Sequence, residues 1–108
     1  MLILVCFLNL VVSQGVMEIA KCCPNLEVLV FSSCAEVGDD ALGAILEHCS
    51  LVQEIEMSDS AMTDRSLDMA AQLRVKSRLR RLTVDGCVVT AEAVQRLQKA
   101  QPCIEVDL

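Results

Sequence analysis

One apolar signature occurs three times in this chain with different spelling. Leu26-x-x-Leu29-x-Phe31-x-x-Cys34 is followed by Val52-x-x-Ile55-x-Met57-x-x-Ser60 and then by Leu79-x-x-Leu82-x-Val84-x-x-Cys87, with starts 26 and 27 residues apart. An interval this regular constrains the fold more than composition does. A unit of this length cannot bury an apolar face alone, so successive units must stack on one another.

Each signature leads into a turn and then a helical period. After Glu36-Val37-Gly38-Asp39-Asp40, the residues Leu42, Ile45, Leu46 and Cys49 recur at spacings that put them on one helix face. Met62-Thr63-Asp64 precedes Leu67, Ala70 and Ala71, and Val89-Thr90-Ala91 precedes Val94 and Leu97. Asp39, Asp40 and Asp64 are expected to open their helices, capping amides and meeting the positive dipole end. Upstream, Val16, Ile19, Ala20 and Cys23 match Leu42, Ile45, Leu46 and Cys49, and Leu4-x-Cys6-x-x-Asn9 matches Ile55-x-Met57-x-x-Ser60. Downstream, Pro102-Cys103-Ile104-Glu105-Val106 echoes Pro24-Asn25-Leu26-Glu27-Val28. The chain therefore reads as a single domain of about four units (1–25, 26–51, 52–78, 79–103) plus a partial strand at 104–108.

A period in this range with this strand pattern indicates a leucine-rich repeat solenoid. The fold class expected is α/β, with parallel strands on a concave face and helices on a convex one. Cys23-Pro24-Asn25-Leu26, Leu29-x-Phe31-x-x-Cys34, Met62-Thr63-Asp64 and Cys87 resemble the cysteine-containing class of leucine-rich repeats typical of F-box/leucine-rich-repeat proteins. The resemblance places Cys34 and Cys87 at a post-strand site and Cys23 and Cys49 at a helix-end site. Asn9 and Ser60 stand at the post-strand site in two units, and Lys76 and Gln101 at the helix-end site in two others. Asn9 and Ser60 are small polar residues able to bond turn backbone as Cys would. No segment resembles an F-box. The resemblance implies a protein-interaction module like the substrate-recognition repeats of an SCF-type ubiquitin ligase, with cullin-ligase components reached through another subunit.

Composition fits that reading. Hydrophobic residues make up 54% of the chain and aromatic residues 2%. Such a core suits thin layers of medium side chains and suits an aromatic-lined ligand pocket poorly. The net charge of −6 argues against nucleic acid as a partner, because such binding needs a positive surface to displace counterions. The seven cysteines form no even framework, and four of them fall at repeat positions. They read as small buried hydrophobes in a reducing compartment, the cytoplasm or nucleus.

Residues with apparent chemistry dissolve into the repeat. His48 and Cys49 are adjacent on a helix and do not face each other. Cys22-Cys23 lacks the paired spacing and second histidine that a zinc site needs. Asp39, Asp40, Asp59, Asp64 and Asp68 have no calcium-loop spacing. Arg74, Lys76, Arg78, Arg80 and Arg81 form one basic cluster, read either as a phosphate or acidic-partner patch or as a solvated connector; no aromatic residues interleave for base stacking. No catalytic, metal-ligating or cofactor-binding residue is assigned, and no cofactor or enzyme activity is expected.

What remains is the outward side of the strands. Alternation assigns Ile3, Val5 and Phe7 to it, then Val28, Val30 and Ser32, then Glu54, Glu56 and Ser58, then Arg81, Thr83 and Asp85, with Glu105 and Asp107 last. Val28, Val30, Ser32, Glu54, Glu56, Ser58, Arg81, Thr83 and Asp85 form the candidate protein-binding face, for a protein substrate or a scaffold partner. The first strands present an apolar strip without a polar capping unit, as expected of part of a longer array or of an end that needs a partner. A leucine-rich scaffold unrelated to ubiquitin fits the same residues.

The first fourteen residues carry two readings. Leu4, Cys6, Asn9 and Val11 fall in repeat register as an edge strand and its turn. The apolar run Met1–Leu8 with Val11-x-Ser13 also resembles a secretory signal, which would make this a secreted or membrane-associated repeat protein. No positive charge precedes the run, and it is too short to span a bilayer, which takes about twenty apolar residues. Sequencing the N-terminus of the protein from cells separates the two: a start at Gln14 removes the strand reading.

Overall fold

The computed structural model describes residues 3–6, 13–31, 35–72 and 78–107. Strand and helix alternate throughout: β1 (Ile3–Cys6), α1 (Ser13–Cys22), β2 (Val28–Phe31), α2 (Asp39–His48), β3 (Glu54–Glu56), α3 (Asp64–Ala71), β4 (Arg81–Thr83), α4 (Ala91–Ala100) and β5 (Glu105–Asp107). The strands make one five-stranded sheet in the order β1-β2-β3-β4-β5, and every pairing is parallel. The fold is thus α/β. The segment Ile3–Cys6 takes the edge position, with Leu4 opposite Leu29.

Register follows the sequence interval. Leu29 pairs with Ile55, Ile55 with Leu82 and Leu82 with Val106. Leu29, Ile55 and Leu82 are buried, and they join Val16, Leu42, Ile45, Leu67, Val94 and Leu97 from the helices in one core cluster. Helices pack on the next helix in sequence, α1 on α2, α2 on α3 and α3 on α4. Burying one Leu or Ile side chain in each layer contributes about 1.5–3 kcal/mol. The core is mostly Leu, Ile, Val, Met and Ala, and Phe31 supplies a buried aromatic ring.

The aspartates do not cap their own helices. The residue before α2 is Gly38, which has no side chain to cap with, whereas Thr63 accepts from Arg65 N–H before α3 and Thr90 accepts from Ala93 N–H before α4. Asp39 instead reaches to the next helix start, accepting from Thr63 N–H at 2.9 Å, from the Thr63 hydroxyl at 2.6 Å and from the buried Ser66 hydroxyl at 2.5 Å. Asp64 repeats the arrangement one unit on, accepting from Thr90 N–H at 2.7 Å and from its hydroxyl at 2.8 Å. The physical reason is that a carboxylate accepts several bonds at once and the neighbouring threonine supplies two donors. Each aspartate therefore clamps adjacent helix starts while keeping its negative charge near the positive dipole end.

A second inter-unit bond lies beneath the strands. The Ser60 hydroxyl and the Cys87 thiol both donate to the Met57 carbonyl, at 2.9 and 2.8 Å, and Ser60 also accepts from Met62 N–H. Ser60 thus bonds turn backbone in the expected place, and Cys87 bonds the turn of the preceding unit. The post-strand residues Asn9 and Cys34, and the helix-end Lys76, lie outside the described residues. These turns use the left-handed region at equivalent places, Asp59 at φ 53° and Gly86 at φ 73°. A Cβ on Gly86 would fall on the Asp59 carboxylate.

Two outcomes are expected. Gly86→Ala should destabilise the protein by roughly 1–3 kcal/mol, since it adds a side chain at positive φ and displaces Asp59. The loss should shrink in an Asp59→Gly background, measured by denaturant unfolding of the two singles and the double. Asp39 is a second handle. Burial alone would raise its pKa, but the bonds from Ser66 and Thr63 outweigh that, so the net shift from 3.8 is downward. A lowered folded pKa means stability that is present above the unfolded value and lost as pH falls through the folded one. The stability gap between wild type and Asp39→Ala, about 1–3 kcal/mol at neutral pH, should therefore narrow as pH drops below 3.8. A gap independent of pH would count against the clamp.

Candidate functional site

Parallel register builds the site residue by residue. Val28, Glu54, Arg81 and Glu105 pair in one row, and Val30, Glu56, Thr83 and Asp107 in the next. Their neighbours along each strand point into the core, so these side chains rise from the opposite side of the sheet. Val28, Val30, Glu56 and Thr83 are half-buried, whereas Glu54 and Arg81 are exposed. Together with Asp107, and above buried Leu29 and Ile55, these six residues line one concavity of about 330 Å³.

Six of the nine expected face residues therefore meet in one depression: Val28, Val30, Glu54, Glu56, Arg81 and Thr83. Half-buried Ser58 and exposed Asp85 follow their strands and do not line it. Ser32 lies outside the described residues, as does Phe7, and so do the side chains of Ile3 and Val5. The valines are less open than an exposed strip would be; among the described residues the one large hydrophobic left exposed is Val88, at 82%, away from this face.

Charge on the face is unevenly shared. Arg81 donates through Nη2 to Glu105 Oε2 at 3.5 Å, and its Nε lies 3.5 Å from Asp107 Oδ2. Such exposed pairs contribute little to stability, about 0–1 kcal/mol. Their effect is to tie the guanidinium toward β5. Glu54 and Glu56, on the neighbouring strand β3, have no side-chain partner among the described residues, although Glu54 stands opposite Arg81 in register. Arg81 therefore belongs to the sheet face rather than to a basic connector patch. Arg78 and Arg80 are exposed, and Arg74 and Lys76 lie outside the described residues.

The other suspected residues settle into structural surroundings. Cys49 is buried, and its thiol donates to the carbonyls of Ala20 at 3.7 Å and Cys23 at 3.6 Å. Burial pushes its pKa up, with nearby Cys23 adding to the effect, so the nucleophilic thiolate is disfavoured. Asp39 and Asp64 are occupied by threonine and serine donors. Asp68 holds Arg96 Nε at 3.1 Å, linking α3 to α4. Among the described residues no group of three or more His, Cys, Asp or Glu converges as a metal site would require. Nor is any described helix long and apolar enough to cross a membrane.

Strand alternation alone reaches the face, including Asp107, but it misses the ion pairs that bind Arg81 to β5. It also misses the aspartate–threonine clamps. Their signal was present as Thr63 and Thr90, each standing one unit after Asp39 and Asp64. No protein-family model matches the chain, and a search of curated proteins returns no significant relative.

Thiol reactivity offers a direct check on the local environments. In the native protein a maleimide should modify exposed Cys22 and Cys103 well before Cys49, which should react at a comparable rate only after unfolding. Peptide mapping of a labelling time course reads this, and early labelling of Cys49 would contradict its burial.

Proposed function

We propose that this chain is a leucine-rich-repeat solenoid whose concave sheet face binds a protein, in the manner of the substrate-recognition repeats of F-box ubiquitin ligases. Under this reading it performs no catalysis itself. It supplies a surface that selects a protein for ubiquitylation, with cullin-ligase components contributed through another subunit, in the cytoplasm or nucleus. The observation that carries the reading is the single concavity formed by Val28, Val30, Glu54, Glu56, Arg81, Thr83 and Asp107 across four adjacent strands. The repeated sequence interval supports the solenoid half of the proposal. The resemblance of Cys23-Pro24-Asn25-Leu26 and the post-strand cysteines supports the ligase half.

Outward strand residues of a stacked fold are free to vary, because the core uses only their neighbours. A binding function placed there needs no change to the packing. The mixture of half-buried apolar groups and open carboxylates is that of a recognition surface: the first contribute area and the second contribute orientation and discrimination.

The test is a pull-down of the full chain from cytosol beside its Glu54→Lys/Glu56→Lys variant. Partners retained by the wild type should bind the variant at least about tenfold more weakly, as loss of buried interfacial charge pairs does. Unfolding midpoints should stay close, since Glu54 is exposed and Glu56 only half-buried. Cullin-ligase subunits among the retained proteins support the ubiquitin pathway. Other stable partners lost on charge reversal assign the face to a scaffold instead, and partners unaffected by reversal remove it as the binding surface.

A further inference from the structure

The concavity is divided along the strand order. On β2 it is apolar, from Val28 and Val30. On β3 it is acidic, from Glu54 and Glu56. On β4 and β5 the one guanidinium, Arg81, is held between two carboxylates, Glu105 and Asp107. Neighbouring strands lie about 4.8 Å apart, so each glutamate stands beside a valine in its row: Val28 by Glu54 and Val30 by Glu56.

We infer that the occupant of this face is an extended segment of a partner protein bearing arginine or lysine, its aliphatic stems on Val28 and Val30 and its cationic heads at Glu54 and Glu56. The inference rests on the concave-face reading and adds the chemistry of the partner. Two independent features point to it. The first is charge: the rows across β3 to β5 carry four carboxylates, Glu54, Glu56, Glu105 and Asp107, and one guanidinium; Arg81 stands opposite Glu54 in register but pairs with Glu105 and Asp107, which leaves Glu54 and Glu56 without an ion pair among the described residues. The second is shape: an apolar shelf one strand away from a carboxylate matches a side chain that is itself apolar along its stem and charged at its tip. A simple anion-binding or nucleic-acid surface would need the opposite sign. A bare metal ion would need converging ligands, whereas Glu54 and Glu56 are spaced about 7 Å apart along the strand. The net charge of −6 over the whole chain also draws a basic segment inward from a distance.

Backbone amide shifts of the full isotope-labelled chain, titrated with the peptide acetyl-Gly-Arg-Leu-Arg-Gly-amide, test this directly. Saturable shifts should centre on Val28, Val30, Glu54 and Glu56. The glutamate counterpart, acetyl-Gly-Glu-Leu-Glu-Gly-amide, should give none. Glu54→Gln/Glu56→Gln should weaken the arginine peptide roughly tenfold. Salt at about 1 M, where screening acts within about 3 Å, should also weaken it. Arg81→Gln, which releases Glu105 and Asp107, should tighten it, an effect that a merely damaged fold would not produce. Absence of saturable shifts with the arginine peptide, an equal response to the glutamate peptide, shifts centred on the helices, or weakening by Arg81→Gln would each overturn the inference. The two levels fail separately. If pull-down partners are lost on charge reversal while the arginine peptide does not bind, the concave face survives and the basic occupant does not.

Discussion

Parallel register is the constraint on which the rest of this structure depends. Once Leu29 is set against Ile55 and Ile55 against Leu82, the pleat decides every neighbouring position. A slip of one residue would turn Glu54 and Glu56 into the core and push Ile55 out to solvent. The cost of burying two carboxylates without partners far exceeds anything the strand hydrogen bonds could return. The register is therefore held by the side chains as much as by the ladder. The row of valine, glutamate, arginine and glutamate on the open face is a consequence of the same choice.

Short strands of three or four residues cannot hold such a register alone, and two sets of polar contacts reinforce it. Asp39 and Asp64 tie each helix start to the next through threonine. Ser60 and Cys87 tie successive turns through the Met57 carbonyl. The aspartate bonds and the Cys87 bond cross from one unit to the next, whereas Ser60 closes its own turn, so the first two resist sliding between units. They also leave the outer face of the sheet untouched.

Much of this was legible in the residues. The interval between Leu29, Ile55 and Leu82 located the strands. The helical spacing of Leu42, Ile45 and Cys49 located a buried helix face, and alternation assigned Val28, Glu54 and Arg81 to the open side. The aspartates show where such reading stops. Asp39 at a helix start fits a cap, but Thr63 lies 24 residues away in sequence and only packing brings its two donors to the carboxylate. Arg81 shows the same limit. It sat in a sequence-local run of basic residues, while in space its nearest charges are Glu105 and Asp107.

The sequence by itself determined the α/β alternation, the core-facing residues and the side of the sheet to which each strand residue belongs. These depend on local periodicity and burial, which one chain pattern encodes directly. Only the tertiary structure decided which outward residues share a concavity, which carboxylates keep an unmatched charge, and which aspartates bond across units. Those properties depend on distances between residues far apart in sequence. Six of the outward positions, with Asp107, meet in one hollow, whereas Ser58 and Asp85, which follow the ends of β3 and β4, do not line it.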